Sequence, residues 1–324
     1  MPVPTLTAEQ IEDIYTTTFD VKLPEIIDGV YNSNPLLAVM NMEERILLDG
    51  GKRIEQGIIY GKLNGGSYGR GDSFNTAKAK TKTMLIFDWK LQYVNLSLEG
   101  MDDLQNAGAA AAFDYSELQT QEAEMTMKDN LGSELLGNGL NNDGKAINGL
   151  EEAIDDGTNF ATYGGAARGS GDAVALAVRA RYDATGGSWT IPVLQDEYGG
   201  VSIENEKPKL ILTTRTLWNA LHNRVQPAQR YPTGPGFDDL ARIGFESLRY
   251  QRAAVVEDSH VQSGRAYLLN TRFIKLIVHS ARPGKLRGWM PTGNKDERLN
   301  QLLWAGNLIV GGPRFQAQQR GLVA

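Results

Sequence analysis

The chain reads as an α+β protein carrying long extended appendages. Three observations predict this: a run of short apolar strands near the C-terminus, one long helix in the middle, and an N-terminal pair of extended segments joined by a polar loop. The strands fall at Leu248–Tyr250, Ala253–Val256, Tyr267–Leu269, Ile274–Val278, Leu302–Val310 and Pro313–Gln318, parted by polar or Gly/Pro breaks. At 324 residues and 41% hydrophobic content the chain can bury a sizeable core, as one elaborate domain or two ordinary ones. It has no cysteine, which removes disulfides, thiolate metal sites and cysteine nucleophiles. A net charge of −6 opposes non-specific attachment to a phosphate backbone. Residues Met1–Gln10 lack the basic-then-apolar pattern of an export signal, and no window approaches ~20 apolar residues, so the protein is expected to be soluble, unexported and free of membrane.

Each element follows from local pattern. Thr7 and Gln10 form a capping-box pair ahead of Ile11, Ile14, Tyr15 and Phe19, which predicts a short helix. Asn34 before Pro35 is a second start signal, with Leu36, Leu37, Val39 and Met40 behind it. Gly50-Gly51 is a tight turn leading into a strand over Arg53–Tyr60. The polar, glycine-rich stretch Gly61–Lys82 precedes a second strand over Met84–Leu98, with Leu85, Phe87, Trp89, Leu91, Tyr93 and Leu96, so the whole reads as a long hairpin. A two-stranded ribbon is marginally stable alone in water, and a loop of roughly twenty polar residues implies an external role, so its natural cover is another copy of the chain.

Asp114–Leu136 is the longest predicted helix, with Leu118, Met125, Leu131 and Leu135 on one side and Gly137-Asn138-Gly139 as its stop. Asn138–Asn148 is predicted as a loop, Gly149–Ala153 as a short helical start, and Gly157–Gly171 as glycine-rich chain. Gly186–Gly200 reads as strand or loop. Lys209–Thr213 is a buried strand feeding a helix over Thr214–Val225, where Leu217, Leu221 and Val225 recur every fourth residue until Pro227 ends it.

Chemical motifs are few. Gly65-Gly66-Ser67-Tyr68-Gly69 matches the nucleophile-elbow pattern of serine hydrolases, but Arg70–Lys82 lacks the apolar periodicity of the supporting helix, so a glycine-rich loop tip is the stronger reading. Arg70-Gly71-Asp72 matches an adhesion tripeptide by composition alone. Asn141, Asp143 and Gly144 suggest a calcium loop, but counting back from Gly144 puts Gly139 first and Leu150 last, both wrong ligands, so an Asx-rich turn is favoured. No Gly-Lys-Ser or Gly-Lys-Thr occurs, and Gly69-Arg70-Gly71 has Phe74 where a third glycine is needed, so nucleotide binding has no support. His222, His260 and His279 share no metal-ligand spacing. Lys62, Lys78, Lys80 and Lys82 flank the loop tip, and keeping an exposed edge soluble is favoured over pairing with acids on a neighbour. No catalytic, cofactor or metal site is expected.

In order along the chain, Asn34-Pro35-Leu36-Leu37, Asp49-Gly50-Gly51-Lys52, Phe87-Asp88-Trp89-Lys90, Leu98-Glu99-Gly100, Asn106-Ala107-Gly108, Ala123-Glu124-Met125-Thr126, Gly149-Leu150 and Thr162-Tyr163-Gly164-Gly165 resemble the major capsid proteins of tailed double-stranded DNA bacteriophages, which share the Hong Kong ninety-seven-type fold. Leu212-Thr213-Thr214-Arg215, Gln226-Pro227-Ala228-Gln229-Arg230-Tyr231, Gly244-Phe245-Glu246-Ser247-Leu248, Tyr267-Leu268-Leu269-Asn270 and Leu303-Trp304-Ala305-Gly306-Asn307-Leu308 extend the resemblance, which finds no match over Ala166–Ile203. It implies an N-arm (1–56), an extended E-loop hairpin (57–98), a P domain with a long spine helix and antiparallel strands (99–155 and 271–310), and a mixed α/β A domain (156–270 with the tail 311–324). It also implies a non-enzymatic shell subunit forming pentamers and hexamers around double-stranded DNA, assembled in the bacterial cytoplasm and located in the virion, without sequence-specific DNA binding. Scaffolding, portal and decoration proteins are the implied partners, the scaffold from another chain because no segment of its size precedes Asn34. Leu36, Leu37, Ile58, Ile59, Tyr68, Arg70, Phe74, Leu85, Phe87 and Trp89 are the expected inter-subunit contacts. The rival readings are a bacterial nanocompartment shell, which encloses enzymes, and a serine hydrolase using Ser67.

Overall fold

The computed structural model describes residues 34–43, 45–101, 115–169, 171–225 and 247–324. The helix expected after Thr7 and the segments Asn106–Gly108, Gln226–Tyr231 and Gly244–Glu246 lie outside these residues. From the N-terminal side the chain forms helix α1 (Pro35–Glu43) and strand β1 (Arg45–Leu48). The Asn34 side chain caps α1 by accepting the Leu37 amide at 3.0 Å, and Pro35 supplies a first-turn residue that has no amide to satisfy. Strands β2 (Ile54–Ile59) and β3 (Lys82–Phe87) make the expected ribbon, but the second extended segment breaks at Asp88–Trp89 and resumes as β4 (Lys90–Glu99), which pairs with a different strand.

Helix α2 (Tyr115–Leu135) matches the predicted long helix. Its buried line runs Ala123, Met127, Leu131, Leu135 in steps of four, whereas the predicted Leu118 and Met125 are only half-buried. Asn141–Gly144 is a tight turn with Asn142 and Asp143 in left-handed conformations (φ 53° and 56°), the Asx-rich geometry anticipated. Helix α3 (Leu150–Ala153), the hairpin β5 (Thr162–Tyr163) and β6 (Ala166–Ala167), helix α4 (Ala173–Val178), and strands β7 (Arg181–Asp183) and β8 (Gly187–Ser188) follow.

Gly186–Gly200 departs from its strand-or-loop reading, because helix α5 (Ile191–Val201) occupies most of it. Thr190 stands at the N-cap and Pro192 in the first turn, where its missing amide costs nothing. Strand β9 (Leu210–Thr213) and helix α6 (Arg215–Val225) come out as expected. The remaining strands are β10 (Ser247–Tyr250), β11 (Ala253–Glu257), β12 (Ala266–Leu269), β13 (Ile274–Leu286), β14 (Met290–Pro291), β15 (Glu297–Val310), β16 (Ala317–Gln319) and β17 (Leu322–Val323). The predicted strand Pro313–Gln318 begins instead as a 3₁₀ turn over Pro313–Phe315.

The chain forms two compact units. In one, comprising 92–129 and 284–303 among the described residues, β14 pairs antiparallel with β15, Met290 opposite Leu299, and the Gln301 side chain donates to Asn95 at 3.2 Å. The other unit, 34–91, 130–283 and 304–324, contains a mixed sheet ordered β10-β11-β9-β12-β16-β7. All four residues of β9 and of β12 are buried, so both faces of the sheet centre are covered. Trp189, Leu194 and Tyr198 around α5 and Leu217 and Leu221 of α6 join Ile211, Val255 and Leu268 in one core, each large side chain contributing about 1.5–3 kcal/mol. The Trp189 indole N–H finds Gln319 Oε1 at 3.1 Å, so the largest core residue leaves no orphan donor.

Candidate functional site

The ribbon β2–β3 has one face covered by its own chain and one face exposed. Its register sets Ile54 opposite Phe87, Gln56 opposite Leu85 and Ile58 opposite Thr83. Side chains alternate between faces with a period of two, so Ile54, Ile58, Leu85 and Phe87 share one face. That face is buried inside the chain itself, each residue being 7% exposed or less. Ile58, Leu85 and Phe87, among the expected contacts, are thus covered within their own chain. Leu36 and Leu37 of α1 are likewise buried in their own chain. Trp89 is half-buried, donating its indole N–H to the Gly51 carbonyl at 2.8 Å and lying 5.2 Å from the His279 ring. The opposite face carries Ile59, Met84 and Ile86, which are 73%, 59% and 41% exposed. Of the expected contacts, Ile59, Tyr68, Arg70 and Phe74 are exposed. Met84 and Ile86 stand beside Ile59 on this exposed face, as strict alternation from Ile59 across the hairpin places them.

A built socket holds the root of the ribbon. Gly164, in the β5–β6 turn at φ +55°, accepts the Ile86 amide at 2.9 Å. A Cβ on Gly164 would lie 2.8 Å from Leu85 Cβ and 2.9 Å from the Phe87 ring, so the close approach depends on glycine. Tyr163 meets Phe87 edge-to-face at 5.2 Å, and its hydroxyl accepts the Val310 amide at 2.9 Å. Burial pushes the Tyr163 hydroxyl's pKa far up, so it stays protonated.

Behind Tyr163 sits the Arg168 guanidinium, 4.9 Å from the ring centre and fully buried. It donates to the carbonyls of Val178 (3.0 Å), Ala153 (2.7 Å) and Phe160 (3.4 Å). Its charge is balanced by Asp155, equally buried and 3.9 Å away, whose carboxylate accepts the amides of Gly157, Asn159 and Phe160. Burial works against the guanidinium's charge and lowers its pKa, but a group whose ordinary value exceeds 12 remains charged.

A polar cavity of about 210 Å³ adjoins the root, lined by Asp88, Lys90, Asn148 and Glu152 with Gly164 and Gly165. Asn307 Nδ2 donates to the Asp88 carbonyl (2.9 Å) and to Asn148 Oδ1 (2.8 Å), and Asn148 Nδ2 donates to Glu152 (2.6 Å). This chain of bonds ties β15 and α3 to the bend after β3. Burial raises the Glu152 pKa despite the lowering influence of Asn148, Arg168 and Lys90. A carboxyl whose folded pKa is raised contributes stability at low pH, and the contribution is lost as pH rises from the ordinary carboxylate value through the folded one. Urea melts from about pH 4 to pH 7 should therefore show wild type losing stability relative to Glu152→Gln as pH rises. A flat difference across that range would refute this assignment.

The tip is ordered by its own bonds. Asn64 Nδ2 donates across the loop to the Ala77 carbonyl at 2.7 Å, Tyr68 and Phe74 meet edge-to-face at 5.1 Å, and Asp72 folds back onto the Gly69 amide. The open hollow beside these groups, about 670 Å³, is lined by residues from Leu63 to Asn75, Ser67 among them and no histidine. His222 stacks on Trp218, His279 lies tilted against Trp89, and His260 bonds Asp258. Among the described residues no cluster of candidate metal ligands occurs and no helix is long and apolar enough to cross a membrane.

Neither a protein-family model nor a curated protein matches the sequence. Solved structures do match the fold along nearly the whole chain. A chain of the cyanophage A-1(L) capsid asymmetric unit superposes with a TM-score of 0.69 at 15% identity, covering 94% of this chain and 96% of its own. The SrpI encapsulin of Synechococcus elongatus PCC 7942 gives 0.62 at 10% identity, covering 98% and 96%. The capsid of the native GTA particle gives 0.62 at 11% identity, covering 94% and 96%. An α+β chain with a two-stranded ribbon and a long helix, matched over 94–98% of its length by chains of two capsids and an encapsulin, has the Hong Kong ninety-seven-type fold.

Proposed function

We propose that this chain is a structural, non-catalytic major capsid protein that assembles with copies of itself into the pentamers and hexamers of an icosahedral bacteriophage head around double-stranded DNA. The observation that carries the reading is the outward ribbon face. Ile59, Met84 and Ile86 form an apolar row left exposed among the described residues, and burying it stabilises an assembly by about 3–5 kcal/mol per ribbon. Each contact is modest, but a subunit in a closed lattice makes several at once. We assign the N-arm to 1–56, the E-loop to 57–98, the P domain to 99–155 and 271–310, and the A domain to 156–270 with 311–324. Scaffolding, portal and decoration proteins are the proposed partners, and the virion, built in the host cytoplasm, the location.

Negative-stain microscopy of the purified protein tests this directly, with closed shells expected. The pair Ile59→Asp and Met84→Lys is expected to leave the subunit's thermal melt within a few degrees of wild type, because both residues are exposed, while abolishing particles. Unfolded variants, or shells of normal yield, would refute the assignment of this face. The fold match to an encapsulin keeps a cargo-enclosing compartment as the second reading. Particles filled with protein cargo and free of nucleic acid would establish it instead.

A further inference from the structure

An asparagine followed by glycine is a chemically labile pair, because glycine has no Cβ to keep its amide nitrogen away from the asparagine side chain. The sequence holds three such pairs, Asn64-Gly65, Asn138-Gly139 and Asn148-Gly149. Packing fixes two of them. Gly149 is buried against the Gly137 and Glu134 carbonyls, the latter 2.6 Å from where its Cβ would stand, and the Asn148 amide is held by Asn307 (2.8 Å) and Glu152 (2.6 Å). Gly139 is buried at φ +72° with Glu152 Oε2 2.9 Å from its missing Cβ, and the Asn138 side-chain oxygen accepts the Leu140 amide at 3.0 Å. Asn64-Gly65 is unlike both. Residues 62–70 are exposed, and nothing lies within 4 Å of the missing Cβ of Gly65. Among the described residues the Gly65 amide donates no hydrogen bond, and the Asn64 side chain has one tie, from Nδ2 to the Ala77 carbonyl at 2.7 Å.

We infer that Asn64 is a site of spontaneous deamidation, selected by the fold from three chemically similar pairs, and that its conversion unties the ribbon tip. The Gly65 amide nitrogen gives its proton to hydroxide and attacks Asn64 Cγ, forming the new C–N bond of a succinimide. The Cγ–Nδ2 bond breaks, and the leaving nitrogen takes a proton from water and departs as ammonia, which regenerates the hydroxide. A second water then adds to one imide carbonyl and breaks its bond to the ring nitrogen, which regains its proton, leaving aspartate or isoaspartate. In sum one amide and one water become one carboxylic acid and one ammonia. The product has no Nδ2 donor and sets a carboxylate oxygen against the Ala77 carbonyl, acceptor facing acceptor, so the tie across the loop is lost. One consequence rests on the shell reading: the loosened segment is the one that presents Tyr68, Arg70 and Phe74 to a neighbour, so a free subunit ages out of assembly.

The test warms the full chain at mildly alkaline pH and maps its peptides by mass spectrometry with enzymatic labelling of isoaspartate. In the native chain Asn64 is expected to convert roughly tenfold or more faster than Asn138 and Asn148, which must first open locally, whereas in urea all three should convert at comparable rates. Gly65→Val places its side chain in open space, so it should keep the wild-type thermal melt while its branched Cβ shields the amide and protects Asn64. Asn64→Asp should reproduce without ageing a loss of hydrogen-exchange protection at the bonded amides of Gly69, Asp72 and Ala77, and a loss of shell yield. Native conversion of Asn138 or Asn148 as fast as Asn64, an Asn64 that resists, the same ranking in urea, or Gly65→Val converting at the wild-type rate would overturn the assignment of the site. Wild-type exchange or wild-type shell yield from Asn64→Asp would overturn its consequence. A fresh wild-type chain that forms no shell refutes the shell reading and leaves the mapped site standing.

Discussion

Arg168→Met is expected to destabilise the unassembled subunit by about 3–5 kcal/mol, measured by urea unfolding. Methionine keeps most of the volume and removes every polar function of the guanidinium. Three carbonyls, of Val178, Ala153 and Phe160, then lose a buried donor, and Asp155 loses its cationic neighbour, the one it has within 4 Å among the described residues. Asp155 is less stranded than most widowed carboxylates, because three backbone amides and Asn159 Nδ2 still donate to it. The larger share of the loss therefore falls on the carbonyls, each orphan costing about 1–3 kcal/mol. This separates the fork from the charge. Arg168→Lys restores the charge with a single nitrogen that cannot reach three carbonyls on separate segments, so it should recover less than half of the loss. Wild-type stability in Arg168→Lys would show that charge balance alone matters here. Because the guanidinium also backs Tyr163, which backs Phe87, either variant should raise hydrogen exchange at the Ile86 amide more than at the distant β9–β12 sheet.

How much of this was legible depended on whether the deciding partner was local. α1 could be read from Asn34 and Pro35, because a cap and a first-turn proline act within a few residues. β9 and α6 could be read from an unbroken apolar run followed by a four-residue repeat ending at Pro227. The ribbon was visible as two extended segments around a polar loop, but its polarity was not. Period-two alternation separates Ile58, Leu85 and Phe87 from Ile59, Met84 and Ile86 without saying which set is covered, and the cover is the β5–β6 turn far along the chain. The break at Asp88–Trp89 was hidden for the same reason: β4 leaves the ribbon because β15 is there to pair with it. α5 was misread because Trp189, Ile191 and Val193 alternate like a strand and Gly199-Gly200 lowers helical propensity, while Thr190 and Pro192 marked its start. The Asp155–Arg168 pair had no sequence signature, since neither residue sits in a motif and their pairing exists only once α3, β6 and α4 have packed.

Gly164→Val is expected to cost about 3–5 kcal/mol and to free the ribbon root. Two independent penalties combine. A β-branched residue at φ +55° is strained, and its Cβ would be driven to 2.8 Å from Leu85 Cβ and 2.9 Å from the Phe87 ring, with more atoms beyond. Backbone on one side and a packed aromatic on the other leave little room to yield. Gly165 is the control, because it too has a positive φ (+80°) but nothing lies within 4 Å of its missing Cβ. Gly165→Ala should therefore cost only the strain, about 1–2 kcal/mol. If the two positions proved equally tolerant, the tight seat of β3 on this turn would be wrong. The consequence for function follows from register. Valine at 164 pushes Leu85 and Phe87 outward, breaks the bond from the Ile86 amide to the 164 carbonyl, and rotates the apolar row of Ile59, Met84 and Ile86 away from its built direction. The subunit should then remain folded at its β9–β12 sheet yet give few or irregular shells, because a lattice repeats every angular error at each neighbour. Regular shells of normal yield from Gly164→Val would mean that the ribbon takes its direction from the neighbouring subunit and not from its own root.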